Sequence, residues 1–382
     1  MELDLYFKPI EALEYGKGTL GFQSTIYTND FPDWEIADIV IISVNESRGN
    51  KSYVFGDLEH QKIRNYFYEF HFPTDLKIVD LGVLQHGAEL RDTYLALKEI
   101  TNAIQKKGKF LIVLGGTQDL TYANYLGYEN LEQTVNLTCI DNKFDFCVDN
   151  EGEIDNENYI NHLLLHRPSY LFNFSILGIQ QYYIQEEQSK LFDDLYFDCL
   201  RLGELQKNIE NAEPFLRNTD ILSIDLGSIR AGEFKGGIHS GPNGFFGNEI
   251  CQLMKYAGIS DKLSSVGIYN QTFGALENID CELVAQMMYF LVFGFSQRKN
   301  DFPIGSKKDH VKYSVFHEDL KHNLVFHKSP KSERWWLEVP YPPAKDFKFE
   351  RHHLVPCNHN DYQIAQKGVI PDLWWKTYRK LN

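Results

Sequence analysis

The chain has 382 residues, of which 43% are hydrophobic, and a formal net charge of −15. A chain of this length can bury a large core in one or two domains, and its acidic balance argues against nucleic acid as a partner. It has no apolar run long enough for a transmembrane helix and no secretory signal pattern, so membrane insertion is not expected. Six scattered cysteines without a CxxC pair are typical of a reduced, cytoplasmic protein.

The order of apolar and polar segments predicts alternating strands and helices. Residues 1–35 carry no strong periodic signal and are expected to form irregular or edge structure. Beyond them, strands are predicted at 37–44, 77–84, 111–114, 137–146, 172–180, 221–225 and 264–270. Helices are predicted at 57–70, 90–106, 119–126, 159–165, 186–197, 203–209, 248–257 and 279–295. This alternation predicts a three-layer α/β fold with a mainly parallel sheet covered on both faces.

The composition changes near residue 300. Residues 301–382 hold 14 Lys and Arg against 10 Asp and Glu, seven of the 13 histidines and four of the five tryptophans. We therefore predict an α/β domain over 1–300 and a C-terminal extension over 301–382. Paired tryptophans in an irregular, proline-broken segment favour an extension that packs back onto the domain, in a position to cover or reshape its cleft. A contact with another chain is the alternative.

Acidic and amide side chains follow three of the predicted strands. Gln118 follows the first of them, Asp141 and Asp145 bracket Lys143 after the second, and Asp225 ends the third. Because ligands bind at the carboxyl ends of strands in open α/β sheets, we expect these side chains to meet around one small space. Four oxygen donors in such a space suggest a hard cation or a buried ammonium group.

In order and spacing, these segments resemble the ureohydrolase family of arginase, agmatinase and formimidoylglutamase over roughly residues 35–297. That family carries the motifs Gly-Gly-Asp-His, Asp-Ala-His-x-Asp and Ser-x-Asp-x-Asp after successive strands. The corresponding segments here are Gly-Gly-Thr-Gln at 115–118, Asp-Asn-Lys-Phe-Asp at 141–145 and Ser-Ile-Asp-Leu-Gly at 223–227. The glycine-rich loop and helix start at 241–250 resemble a further family segment, Gly-Gly-Leu-Thr-x-Arg-Glu. The last strand, which in the family carries Glu and then Asn-Pro, has Gly-Ile-Tyr-Asn-Gln at 267–271. The resemblance implies an arginase-like fold. In the family, two manganese ions are bridged by a hydroxide, and this hydroxide attacks a guanidino or formimino carbon.

The resemblance also implies a changed metal site. One half-site of the family corresponds to Gln118, Asp141, Asp145 and Asp225. This all-oxygen set suits at most one divalent cation, Mn or Mg. In the other half-site Lys143 replaces a histidine and Gly227 replaces an aspartate, and Ile268 replaces a glutamate on the last strand. Protonated lysine has no free lone pair and glycine has no side chain, so a two-manganese centre is not expected. Restoring the family residues at 118, 143 and 227 is expected to increase manganese binding if the backbone is still in place.

Lys143 has three interpretations. Its ammonium group can replace the missing metal as a counter-charge for the three aspartates, whose mutual repulsion would otherwise raise their pKa values. It can instead point into solvent. A Schiff-base or general-base lysine would need a lowered pKa, which nearby carboxylates oppose. We favour the first interpretation.

Two functional hypotheses follow. In the first, the chain is an arginase-family pseudoenzyme with a degenerate metal site that acts by binding or as a structural partner, with another protein or a second copy of itself. In the second, it hydrolyses the C–N bond of a small linear amidine, such as formimidoylglutamate, with at most one cation. The departures from the family residues at positions 118, 143, 227 and 268 all fall on functional positions of the family. They favour the pseudoenzyme hypothesis, so no catalytic residue is assigned. His162 and His166, four residues apart, are further ligand candidates, whereas the histidines of the extension are expected to pack.

Overall fold

The computed structural model describes residues 3–11, 13–50, 60–131, 133–147, 152–271, 276–341 and 347–382. In chain order its strands are β1 (Phe7–Lys8), β2 (Thr25–Ile26), β3 (Ile39–Val44), β4 (Ile78–Leu84), β5 (Phe110–Leu114), β6 (Val135–Ile140), β7 (Leu171–Ile179), β8 (Asp198–Arg201), β9 (Ile221–Asp225), β10 (Ser265–Tyr269), β11 (Val311–His317), β12 (His322–Lys328), β13 (Trp335–Glu338) and β14 (Leu354–Cys357). Its α-helices are α1 (Leu20–Gln23), α2 (His60–Glu69), α3 (Leu90–Lys106), α4 (Leu120–Leu126), α5 (Tyr159–Leu165), α6 (Glu186–Asp194), α7 (Leu202–Lys207), α8 (Glu213–Arg217), α9 (Gly247–Ile259), α10 (Asn278–Phe295), α11 (His359–Gln366) and α12 (Asp372–Leu381).

Within the described ranges, ten strands form one central sheet. Their order is β1-β4-β3-β5-β10-β9-β6-β7-β8, and β2 also pairs with β4. The pairing of β1 with β4 is antiparallel, and the other pairings of this sheet are parallel. The predicted α/β fold with a mainly parallel sheet is therefore confirmed. The strand β1 from the weakly patterned amino-terminal region lies at an edge of the sheet.

The central strands are buried on both faces because both alternating sets of their side chains are apolar. From β3 and β5, one core with α9 and α10 takes Ile39, Ile41, Ile112 and Leu114. The opposite core, which includes side chains of α3, takes Val40, Ile42, Leu111 and Val113. Continuous apolar runs are typical of strands that lie between two helical layers.

The helix bounds differ from the sequence-based ones mainly where a strand was missed. The helix predicted over 57–70 is described from His60 onward, and residues 57–59 lie outside the described residues. The helix predicted over 186–197 ends at Asp194, and the chain then enters β8. This strand is short and lies at the sheet edge with a half-exposed pattern, so it lacks the apolar run that identifies the others. No helix in the described part of the chain combines the length and the apolarity needed to cross a membrane.

The extension has a regular structure of its own. Strands β11 to β14 form a four-stranded antiparallel sheet in sequence order. Its core includes Leu324, Phe326, Leu337, Trp374 and Leu381. The prediction of an irregular segment is wrong, because β11 and β12 are joined by the short segment 318–321 into a hairpin, which their alternating side chains indicate.

The extension contacts the edge formed by the amino-terminal ends of the central strands. Arg351 Nη2 lies 2.6 Å from an oxygen of Asp220, the residue before β9. Arg217 donates hydrogen bonds to the carbonyls of Trp335 and Cys357, and its guanidinium lies 4.5 Å from the ring centroid of Trp336. The expectation that the extension covers the cleft is therefore wrong, since ligand-binding clefts of such sheets lie at the opposite, carboxyl ends.

Candidate functional site

Three buried aspartates meet at the carboxyl ends of the central strands. Asp225 is the last residue of β9, whereas Asp141 and Asp145 lie in the loop that follows β6. One carboxylate oxygen of each lies within 4.8 Å of those of the other two. Each residue is about 1% exposed. We call these three residues the aspartate cluster. The structure brings them together at the place that the strand pattern predicts.

Lys143 lies between the aspartate cluster and solvent. Its Nζ is 3.5 Å from Asp145 Oδ1 and 3.4 Å from Glu157 Oε1, and its side chain is 21% exposed. Its backbone N–H donates to Asp141 Oδ1 at 3.2 Å. This arrangement differs from that of a lysine that points into solvent.

The electrostatics of the cluster keep Lys143 charged. Burial raises the pKa of each aspartate, and the charge of Asp141 raises the pKa values of Asp145 and Asp225 further. Lys143 acts in the opposite direction on all three. Burial alone would lower the pKa of Lys143, but Asp145, Asp141 and the other nearby carboxylates outweigh it, so the net shift is upward. A raised pKa does not suit a Schiff-base or general-base lysine.

Gln118 is held by an asparagine that the sequence analysis did not single out. Asn270 Nδ2 donates to Gln118 Oε1 at 3.3 Å and to Asp225 Oδ2 at 3.0 Å, and Gln118 N donates back to Asn270 Oδ1 at 3.0 Å. Gln118 Nε2 donates to Ser223 Oγ at 3.3 Å. Asn270 follows β10 with φ +62°, a left-handed conformation that Asn adopts more readily than most residues. An Asn directly after an apolar strand is the signal that could have identified it.

The second half-site of the family does not fit this chain. A Cβ atom at Gly227 would overlap the backbone carbonyl oxygen of Ile238 and would lie 3.0 Å from Asp225 Oδ1. Gly227 N already donates to Asp225 Oδ1 at 2.6 Å. Ile268 is buried in the core between β5 and β9. Restoring the family residues is expected to increase manganese binding only if the backbone is still in place, and at residue 227 this condition is not met. Lys143, Gly227 and Ile268 do not suit a two-manganese centre.

The carboxylates of the first half-site retain free coordination capacity. Among the described residues, neither oxygen of Asp145 nor Oδ2 of Asp141 has a hydrogen-bond partner, although Asp145 forms the ion pair with Lys143. Gln118 Oε1, in contrast, accepts from Asn270. The donor set thus suits one oxygen-liganded cation held mainly by the aspartates.

The mouth of the site includes two further residues that the sequence analysis did not identify. Glu157, about half exposed, lies 3.6 Å from His239 Nε2 and shares its carboxylate with Lys143. His239 belongs to the glycine-rich loop, which spans residues 232–247, and has φ +61°. Burial, and then the charge of Lys143, lowers the pKa of His239, so its imidazole is neutral near pH 7.

His162 of α5 and His166, which directly follows this helix, lie elsewhere. The rings of His162 and His166 each lie with their centroids 6.0 Å from that of Tyr122. His166 Nδ1 is 3.2 Å from Tyr122 Oη. Among the described residues, the only group of potential metal ligands is the aspartate cluster, and it includes neither histidine.

The sequence is similar to that of a characterised enzyme over part of its length. It is 24% identical over 172 residues to a formimidoylglutamase of Fusobacterium nucleatum, which corresponds to 41% of this chain. The match spans about half of that relative, 52% of its length. No protein-family model matches the chain.

Solved structures extend the similarity to the whole central domain. Formiminoglutamase of Trypanosoma cruzi, solved with manganese, matches with a TM-score of 0.64 at 18% identity, over 70% of this chain and 96% of that one. Formimidoylglutamase of Bacillus subtilis gives 0.66 at 14% identity, over 77% and 97%. Arginase of the same organism gives 0.58 at 17% identity, over 66% and 98%. The chain therefore has the arginase fold, and the four-stranded sheet of the extension lies outside the matched region.

Proposed function

We propose that this chain is a cytoplasmic member of the arginase superfamily in which a lysine has replaced part of the metal centre, so that it is not a two-manganese hydrolase. It acts by binding, either to a small amidine-type ligand or to a protein partner, including a second copy of itself. Fold alone does not imply activity, so the proposal rests on the site and not on the similarity.

The observation that carries this proposal is that the second half-site lacks the side chains that could hold a metal ion. The ammonium group of Lys143 lies beside Asp145, and the carbonyl of Ile238 fills the space that a side chain at residue 227 would need. A metal cation next to a protonated lysine would be repelled, and residue 227 cannot supply a side chain that binds a metal ion. The positive charge that carboxylates require in this fold is therefore supplied by Lys143.

The mouth of the site offers a surface for recognition. Glu157 and His239 lie beside Lys143, so a ligand at this mouth would meet an acceptor, a neutral imidazole and an ammonium group. Such a set can orient a polar ligand by hydrogen bonds without any bond-breaking step. This supports a binding function for the same cleft.

The alternative is a divergent hydrolase of a linear amidine C–N bond. It is favoured by the unpaired oxygens of Asp141 and Asp145, which one divalent cation, Mn or Mg, could use. Such a cation would supply a more acidic bound water. In this case Lys143 would stand in for the second cation, and Glu157 would bind the cationic amidine at the mouth.

Metal content and turnover distinguish the two functions. We expect the purified protein to hold at most one manganese ion per chain at saturation, and to show no turnover of formimidoylglutamate, arginine or agmatine. The measurements are elemental analysis after dialysis against manganese and a product-release assay, with Asp145→Asn as the variant that removes one charge of the cluster.

Two results would contradict the proposal. A stoichiometry near two manganese ions per chain would contradict the interpretation of Lys143 and Gly227. Turnover on the order of 1 per second or faster, abolished by Asp145→Asn, would establish the alternative function.

A further inference from the structure

A second cavity lies between the central sheet and the extension, away from the aspartate cluster. Its volume is about 270 Å³, close to the lower end of the roughly 300–1,000 Å³ of small-molecule pockets. Strands β6, β7 and β8 form one wall, and residues 352–361 with helix α12 contribute much of the rest. We call it the extension cavity.

The wall formed by the sheet is polar. Asn136 and Thr138 of β6 lie opposite Asn173 and Ser175 of β7, and Ser175 lies opposite Asp198 of β8. All five side chains line the extension cavity. A sheet face that packs only against helices is normally apolar, because buried polar groups cost free energy unless they are hydrogen-bonded. This patch is therefore suited to a polar occupant.

Within the described ranges, two buried polar atoms of this wall and its rim have no hydrogen-bond partner. Asn136 is 2% exposed; its Nδ2 donates to the carbonyl of Asn218 at 2.7 Å, but its Oδ1 has no hydrogen-bond partner among the described residues. His352 is also 2% exposed, and its Nε2 lies 2.9 Å from Thr134 Oγ1, while its Nδ1 has no hydrogen-bond partner in the described part of the chain. Buried groups of this kind are almost always hydrogen-bonded, so a ligand or ordered water is expected beside them.

The cavity also contains cationic side chains from α12. Lys376 Nζ lies 3.1 Å from Asp198 Oδ1, and Lys380 Nζ donates to Asn173 Oδ1. Burial lowers the pKa of Lys380 to about 8, although the charge of Asp198 opposes the shift. Among the described residues Asp198 forms its ion pair with Lys376 and not with Lys380. Asp361 lines the cavity too, but it accepts the N–H of Asn358 at the start of α11, and burial raises its pKa. An anion beside Lys380 would complete the hydrogen bonds of its ammonium group.

We propose that the extension cavity binds a small carboxylate that carries a hydrogen-bond donor next to the carboxyl group, an α-amino or α-hydroxy acid. Lys380 and Lys376 hold the carboxylate, and Asn136 Oδ1 accepts from the donor. Because Lys376, Lys380 and His352 belong to the extension, this site depends on a segment outside the region matched by the solved arginase-fold structures. It is independent of the chemistry at the aspartate cluster.

The test is isothermal titration of the full chain with L-lactate and L-glutamine, and with lactamide as the neutral analogue. We expect saturable binding of one molecule of at least one carboxylate per chain, and at least about tenfold weaker binding of lactamide, because charged hydrogen bonds are the stronger ones. Lys380→Met should weaken carboxylate binding about tenfold or more, whereas Lys380→Arg should retain it. Lys312→Met, an exposed lysine on β11, is the matched control and should bind as the wild type does.

A second variant keeps the test valid if Lys380→Met does not fold. Asn136→Leu preserves the approximate side-chain size but removes the acceptor for the donor group of the ligand, and it should also weaken binding about tenfold or more. The proposal is overturned if no carboxylate binds saturably, if lactamide binds as tightly as lactate, or if a folded Lys380→Met protein binds as well as the control.

Discussion

Lys143→Ala is expected to lower the free energy of unfolding by about 3 kcal/mol at pH 8, the usual result of removing one partner from a buried ion cluster. The side chain is 21% exposed, and its Nζ lies 3.5 Å from the nearly inaccessible carboxylate of Asp145. Without it, the three carboxylates of the aspartate cluster face each other and must take up protons or move apart. Thermal melts of the variant and the wild type measure the effect.

The deficit should shrink as the pH falls. The aspartate cluster has raised pKa values in the folded protein, and Lys143 opposes this shift, so its removal raises them further. A group with a raised folded pKa contributes stability below its unfolded pKa, about 3.9 for Asp, and loses it as the pH rises through the folded pKa. As the pH falls through the raised folded pKa values, the carboxyls of both proteins take up protons, and the disadvantage of the variant is lost. The two melting temperatures should therefore lie closer at pH 5 than at pH 8.

Lys98→Ala is a matched control for this experiment. Lys98 is also 21% exposed and pairs with the single carboxylate of Glu129 at 2.6 Å, which is itself 28% exposed. Its removal should cost about 1 kcal/mol or less, with little difference between the two pH values. If Lys143→Ala is as stable as the wild type at both, Lys143 is not the counter-charge of the cluster. If the wild type is active, and the Lys143→Ala variant is nearly as stable but has lost turnover, the hydrolase alternative gains support.

Gly227→Ala is expected to destabilise the protein by about 2 kcal/mol, because its methyl group would overlap a backbone atom that cannot rotate away. The obstructing atom is the carbonyl oxygen of Ile238, in the glycine-rich loop. Gly232→Ala is the control in the same loop, where the nearest atom to an added Cβ is Arg230 Nε at 3.7 Å. That exposed substitution should change stability by no more than about 0.5 kcal/mol.

The same obstruction decides whether the family metal site can be rebuilt. The triple variant Gln118→His, Lys143→His and Gly227→Asp should not reach two manganese ions per chain, because an aspartate at 227 needs the space that the Ile238 carbonyl occupies. Metal analysis beside a melting curve measures this. A folded triple variant with two manganese ions would show that the loop yields readily and that the loss of the site depends on side chains alone.

The sequence by itself determined where the candidate site lies. Apolar runs that end in Gln118, Asp141 and Asp225 are local patterns, and a parallel sheet aligns the ends of such strands regardless of loop details. The arginase-like fold follows from the same patterns taken in order. Even the sheet of the extension had a local signal, the alternating side chains of β11 and β12 around a short turn.

Tertiary structure alone decided how the site is closed and where the extension lies. The carbonyl of Ile238 over Gly227 and the amide of Asn270 between Gln118 and Asp225 depend on loops meeting across the sheet edge. The position of the extension depends on contacts such as Arg351 with Asp220, which are 131 residues apart. Periodicity records which face of a strand or helix is buried, but it carries no information on which distant backbone or side chain approaches that face.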